Sequence, residues 1–204
     1  MKPAVLIVLF LLSAVVAFPQ TKSTARLPAQ WTRTETLDRF TGATSTVFTL
    51  QGTFVVAPSR SGSKAPVIMA QCRTNKKGKG ELLNTLIEIG ATLDSHAGIQ
   101  DDVVAGVRAY SGVSAEYRLD GGPVKRFPPL AHSEDFSVLY LESAKSSFGL
   151  IELFLPDLLY EHHKEPVKQA VIRVPEWQGG FVVMQFDMPD PTELAETCGI
   201  YHKR

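Results

Sequence analysis

The chain is poor in cysteine, with only Cys72 and Cys198 among its 204 residues. That scarcity excludes a small disulfide-dense scaffold and leaves no second cysteine pair at zinc spacing. An excess of one charge is lacking too, since 21 Lys and Arg balance 21 Asp and Glu. No bulk attraction to nucleic acid or anionic lipid follows from that balance. There is no G-x-S-x-G, no H-E-x-x-H and no Gly-rich crossover between strand and helix. The local signatures of α/β-hydrolases, zinc proteases and dinucleotide binders are therefore missing. Beyond the first residues, no apolar run reaches the roughly 18 to 20 residues of a membrane span.

What is present begins with an export pattern. Lys2 is a basic start, Ala4 to Leu12 is unbroken and apolar, and Val15-Val16-Ala17 offers small residues for cleavage. The expectation is a signal peptide over 1–17, cut near Ala17–Phe18, and a periplasmic or secreted product. No cysteine stands near that site, which argues against a bacterial lipoprotein anchor. Residues 18–30 are polar and proline-punctuated and read as a flexible mature N-terminus. Residues 31–204 read as one β-rich domain, large enough for a core of its own.

Period-two alternation dominates that domain. Ser45 to Val56 sets Phe48, Leu50, Phe54 and Val56 against Thr49 and Gln51. Pro66 to Cys72 is short and nearly all apolar, as a central strand is. Arg73 to Gly80 is a basic turn without the setting of a phosphate loop. Glu81 to Leu93 fits a helix through Leu82, Leu83, Leu86 and Ile87, or a strand through Leu83, Thr85, Ile87 and Ile89; the preceding turn favours strand. Asp94 to Gly112 reads as an irregular excursion with a strand near Val103 to Tyr110. Val113 to Asp120 alternates most clearly and ends at Gly121-Gly122. Phe136 to Leu141 is a further strand, and Phe148 to His163 is interrupted at Pro156 before a short amphipathic helix. Gln169 to Val174 and Phe181 to Met188 form a last pair. The expected class is mainly β (α+β), with β-sandwich-like antiparallel sheets and a short C-terminal helix.

The stretch Phe181 to Gly199 holds the strongest local signals. Val182, Met184, Phe186 and Met188 share one strand face. Asp190 stands as an N-cap, Pro191 takes the first helical position, and Glu193 completes a D-x-x-E relative of the capping box. Leu194, Ala195 and Cys198 share a helical face, and Gly199 suits a left-handed end. Two cysteines in an exported chain point to one disulfide, Cys72 to Cys198, with free thiols or a metal pair as the alternatives.

Catalytic signals are weak. Ser61-Gly62-Ser63-Lys64 matches S-x-x-K, yet its S-D-N and K-T-G companions are absent. Glu161-His162-His163-Lys164-Glu165 is the one cluster of possible ligands, but adjacent histidines point apart. His96 and His132 lack a nucleophile–base order. Asp101-Asp102 and Glu134-Asp135 lack an EF-hand pattern, and Trp31 and Trp177 stand too far apart in sequence for a visible sugar platform. No catalytic residue, cofactor or metal is assigned.

Several short motifs together resemble the VasI-like proteins, small exported bacterial proteins named for a component encoded with type VI secretion systems. The matching residues are Trp31, the Val67 to Arg73 strand ending in C-R, and R-x-D-G within Tyr117 to Gly121. S-x-D-F at Ser133 to Phe136 and the F-D…E…C pattern of Phe186 to Cys198 complete them. A second tryptophan usual before the S-x-D step is replaced by Phe127 as the nearest aromatic. The resemblance implies a periplasmic or secreted, β-rich, non-enzymatic domain with the Cys72–Cys198 link. Its partner would be an envelope or secretion-system protein or the cell wall; the other function class kept open is a secreted hydrolase.

Overall fold

The computed structural model describes residues 29–58, 64–90, 99–104, 107–128, 130–133, 137–145, 150–161, 165–175 and 180–200. The signal-peptide reading, Ser61 to Ser63, His96, Glu134 to Phe136, His162 to Lys164 and Trp177 lie outside them. The first strands are β1 (Thr32–Leu37), β2 (Thr44–Gln51), β3 (Thr53–Val56), β4 (Val67–Thr74) and β5 (Gly80–Glu88). Then come β6 (Ile99–Val104), β7 (Val107–Val113), β8 (Glu116–Leu119), β9 (Lys125–Arg126) and β10 (Val138–Tyr140). They are followed by β11 (Glu142–Lys145), β12 (Leu150–Leu153), the helix α1 (Leu155–Leu159), β13 (Tyr160–Glu161) and β14 (Glu165–Pro166). The last elements are β15 (Gln169–Pro175), β16 (Phe181–Asp187) and the helix α2 (Thr192–Cys198).

Two five-stranded sheets carry the fold, ordered β1-β2-β4-β5-β10 and β3-β16-β15-β8-β9, with every pairing antiparallel. Their alternating residues meet in one core. Phe48, Leu50, Ile68, Ala70 and Ile87 come from the first sheet, and Ala170, Ile172, Val182, Met184 and Phe186 from the second. The mainly-β expectation therefore holds, as does the helix near the C-terminus.

Gly52 explains where the sequence reading of Ser45 to Val56 goes wrong. That run is not one strand: it leaves the first sheet as β2 and enters the second as β3. Phe48 and Leu50 are buried, but Phe54 is only half-buried and Val56 is exposed. A Cβ on Gly52 would stand 2.6 Å from the Phe186 ring and 2.8 Å from the Gln185 carbonyl oxygen. Real side chains do not approach that closely, so the corner requires glycine.

Other departures have equally local causes. The stretch from Glu81 is a strand as far as Glu88, but a bulge opposite Gln71 and Cys72 turns Leu83 outward instead of in with Thr85 and Ile87. The alternation of Val113 to Asp120 is real on its buried face, yet it spans two strands. Val113 bridges to Leu130 and the Ala115 carbonyl accepts from Phe127 N–H, which breaks the run at 114–115. The excursion before it contains the β6–β7 hairpin. Pro156 lies in the first turn of α1, where its missing N–H costs nothing.

The R-x-D-G motif has a structural task. Asp120 follows β8 with φ 46°, and its carboxylate accepts from the main-chain N–H of Gln169 (2.7 Å) and Lys168 (3.0 Å). The start of β15 is thereby tied to the end of β8.

Candidate functional site

Cys72 and Cys198 are joined, with Cα atoms 5.0 Å apart and a sequence separation of 126. Neither cysteine is free, so the thiol and metal-pair alternatives fall away. Cys72 shares the buried face of β4 with Ile68 and Ala70, and α2 therefore rests on the inner side of the first sheet. The helix starts one residue later than its sequence suggests, with Pro191 at the N-cap. Asp190 still satisfies the first turn: its Oδ1 accepts from Thr192 N–H (2.9 Å) and the Thr192 hydroxyl (2.6 Å). The hydroxyl bond, then the main-chain bond, holds the Asp190 carboxyl below its usual range. Glu193 does not complete a capping box. It accepts from Arg33 Nη1 at 2.6 Å, tying α2 to β1.

The surface with the most recognition chemistry is the outer face of the second sheet. Its inner positions are taken by Ile172, Val174, Val182 and Met184, so the intervening residues face out. Register places Arg126 opposite Glu116, Glu116 opposite Arg173, Arg173 opposite Val183, and Val183 opposite Val56. Glu116 accepts from Nη2 of Arg173 and from Nη2 of Arg126 at 3.1 Å. Arg173, then Arg126, holds the Glu116 carboxyl below its ordinary value near 4.5. What these bonds add is present above that ordinary value and is lost as the pH falls through the lower folded one.

The Arg173 guanidinium also lies over the Phe181 ring, 4.6 Å from its centroid. Phe181 is 45% exposed, Val56 47% and the bulged Val55 59%, so an apolar strip runs beside the arginines. Arg118 projects from the same face. Three arginines cluster around Glu116 on this face, and Asp187 lies farther along β16, bonded to Gln169 and Gln185, so the strip is apolar at one end and carries the arginines at the other.

Among the described residues, two further clefts lie elsewhere. The larger, about 540 Å³, opens at the Gly52 corner and is lined by Gln30, Thr32, Thr49, Gln51, Thr53 and Asp187, among others. Hydroxyls and amides dominate it, and Asp187 is the one formally charged residue in its lining. The smaller, about 370 Å³, lies between Arg33, Glu35 and Glu196.

Among the described residues, the sequence candidates stand apart. Lys64 is exposed, and its main-chain N–H donates to the Gly90 carbonyl (3.1 Å). His132 contacts the Ser133 carbonyl through Nδ1 (2.8 Å). Among the described residues no three His, Cys, Asp or Glu side chains gather as for a metal ion. The Arg173–Phe181 pair escaped the sequence reading because β15 and β16 were judged by their inner residues. Its signal was a large aromatic on the wet face of β16, alongside Gln185 and Asp187. Compared with known protein families, curated proteins and solved structures, the chain matches none.

Proposed function

We propose that this chain is a non-catalytic exported domain that binds a protein partner of the cell envelope through the outer face of its second sheet. The observation that carries the reading is the exposed Phe181 under Arg173, continued by Val183 and Val56. Aromatic residues and arginine dominate the energetics of protein interfaces, because each combines a large apolar body with a directional polar group. Their position on a sheet, where neighbouring side chains hold them, keeps the ordering cost of binding low. The Cys72–Cys198 bond fits an oxidising compartment, and Lys2 to Ala17 supplies the route there. The resemblance to VasI-like proteins makes a secretion-system component the partner class to look for first.

Two measurements test this. The exported product should have an intact mass corresponding to a start near Phe18; full-length chain retained in the inner membrane overturns the export reading. For the surface, a benzophenone amino acid replaces Phe181 in the cells that export the protein, with Lys77 at the β4–β5 turn as the control position. Light should yield one discrete adduct from position 181, of a mass other than twice the chain, and none from position 77. Equal adducts from both positions, or none from either, would overturn the assignment.

A further inference from the structure

The outermost strand of the first sheet, β1, is exposed at every residue and, among the described residues, pairs on one side only, with β2. Such an edge is a template for another strand unless something blocks it. Its residues Thr32-Arg33-Thr34-Glu35-Thr36 are symmetric in type about Thr34, with opposite charges at 33 and 35. Laid antiparallel on a second copy with Thr34 opposite Thr34, it sets Arg33 against Glu35 and Thr32 against Thr36. We propose that β1 is a homodimerisation edge whose occupant is the β1 strand of a second copy, in that register.

The main chain is oriented for it. Asp38 N–H donates to the Ala43 carbonyl at 2.9 Å, and the β1–β2 register runs unbroken from Leu37 to Thr32. Counting back by twos, Thr36, Thr34 and Thr32 turn their amide groups toward β2. Arg33, Glu35 and Leu37 turn theirs to the open side. Across the dimer axis, Arg33 and Glu35 then form hydrogen-bonded pairs, and Thr34 meets its own copy at a closer non-hydrogen-bonded position.

The charges select this register. Opposite charges directly across an antiparallel pair stabilise it, and like charges oppose it. A slip of two residues one way brings Arg33 against Arg33, and the other way Glu35 against Glu35. A slip of one residue would oppose groups that point in different directions. In the isolated chain Arg33 is bonded to Glu35 and Glu193, so these charges also guard the edge against strands that do not complement them. The contact is the same patch on both copies and closes on itself, joining two five-stranded sheets into one.

The test uses the mature chain in sedimentation velocity from about 1 to 500 µM, since association must rise with concentration. The parent should shift from monomer to dimer. Arg33→Glu or Glu35→Arg alone should weaken the dimer at least about tenfold, because like charges then face each other twice. Glu35→Pro should abolish it with an unchanged circular dichroism spectrum, since that N–H serves only the open edge. Independently, Thr34→Cys should oxidise to a covalent dimer, while Thr32→Cys, which is also exposed, should not. A parent that stays monomeric throughout, a dimer that survives Glu35→Pro, or equal cross-linking at positions 32 and 34 would each overturn the proposal.

Discussion

Cys198→Ser is expected to lower stability by about 2 to 5 kcal/mol, read from urea midpoints under non-reducing conditions. The bond closes a loop of 126 residues, so its loss returns much conformational freedom to the unfolded chain. It also leaves a hydroxyl where a buried sulfur had been, at a site only 2% exposed. The helix would not simply drift away, because its C-terminal turn is seated main chain to main chain on the first sheet. A Cβ on Gly80 would run into the Thr197 carbonyl oxygen at 2.0 Å, and one on Gly199, at φ 65°, would meet the Gly80 carbonyl oxygen at 2.3 Å. Asp190→Ala should cost less than Cys198→Ser, since it removes only the bonds to Thr192. That order is the measurement that matters. If the serine variant melts with the parent, the disulfide is idle and the last helix is held by packing alone.

Phe186→Ala is expected to cost about 3 to 5 kcal/mol, because the ring is fully buried between the two sheets. The informative experiment adds Gly52→Ala in the same chain. Alone, that substitution drives a methyl group to within 2.6 Å of the ring. With the ring gone, part of that collision disappears, and the double variant should be less damaged than the two single losses added together. A strictly additive cycle would mean that the Gln185 carbonyl, 2.8 Å from the same point, sets the whole penalty.

Residues whose role depends on near neighbours were legible in the sequence. Alternation identified the buried face of β16, with Val182, Met184 and Phe186, and the inward Val113, Ala115 and Leu119, since period two is a property of the strand itself. The Asp190 and Gly199 signals bracketed α2 to within a residue, because capping groups act over a single turn. What stayed hidden depended on partners distant in the chain. Leu83 obeys the alternation in sequence and breaks it in space, because the bulge is visible only against β4. Ser45 to Val56 reads as one strand until Phe186 is seen pressing on Gly52. The same holds for the outer face, where Arg126, Glu116, Arg173 and Phe181 come from four different elements or their ends and meet only through register. Glu193 illustrates the point within one turn. Its spacing suits a capping box, but Arg33, 160 positions away, claims its carboxylate.

The place of β16 in its sheet dictates the order in which the protein can be built. It lies between β3 and β15, although β3 is made early and β16 close to last. At 5 to 20 residues per second, β3 waits roughly 10 seconds during synthesis before any strand can pair with it. During that interval Val55 and Val56 stand on an unmatched segment, and the second sheet cannot assemble from its N-terminal side. Closure must come late and over long chain separations, which makes for slow folding and a prolonged exposure to aggregation. A chain held unfolded until its final strand has emerged would never pass through that vulnerable half-sheet.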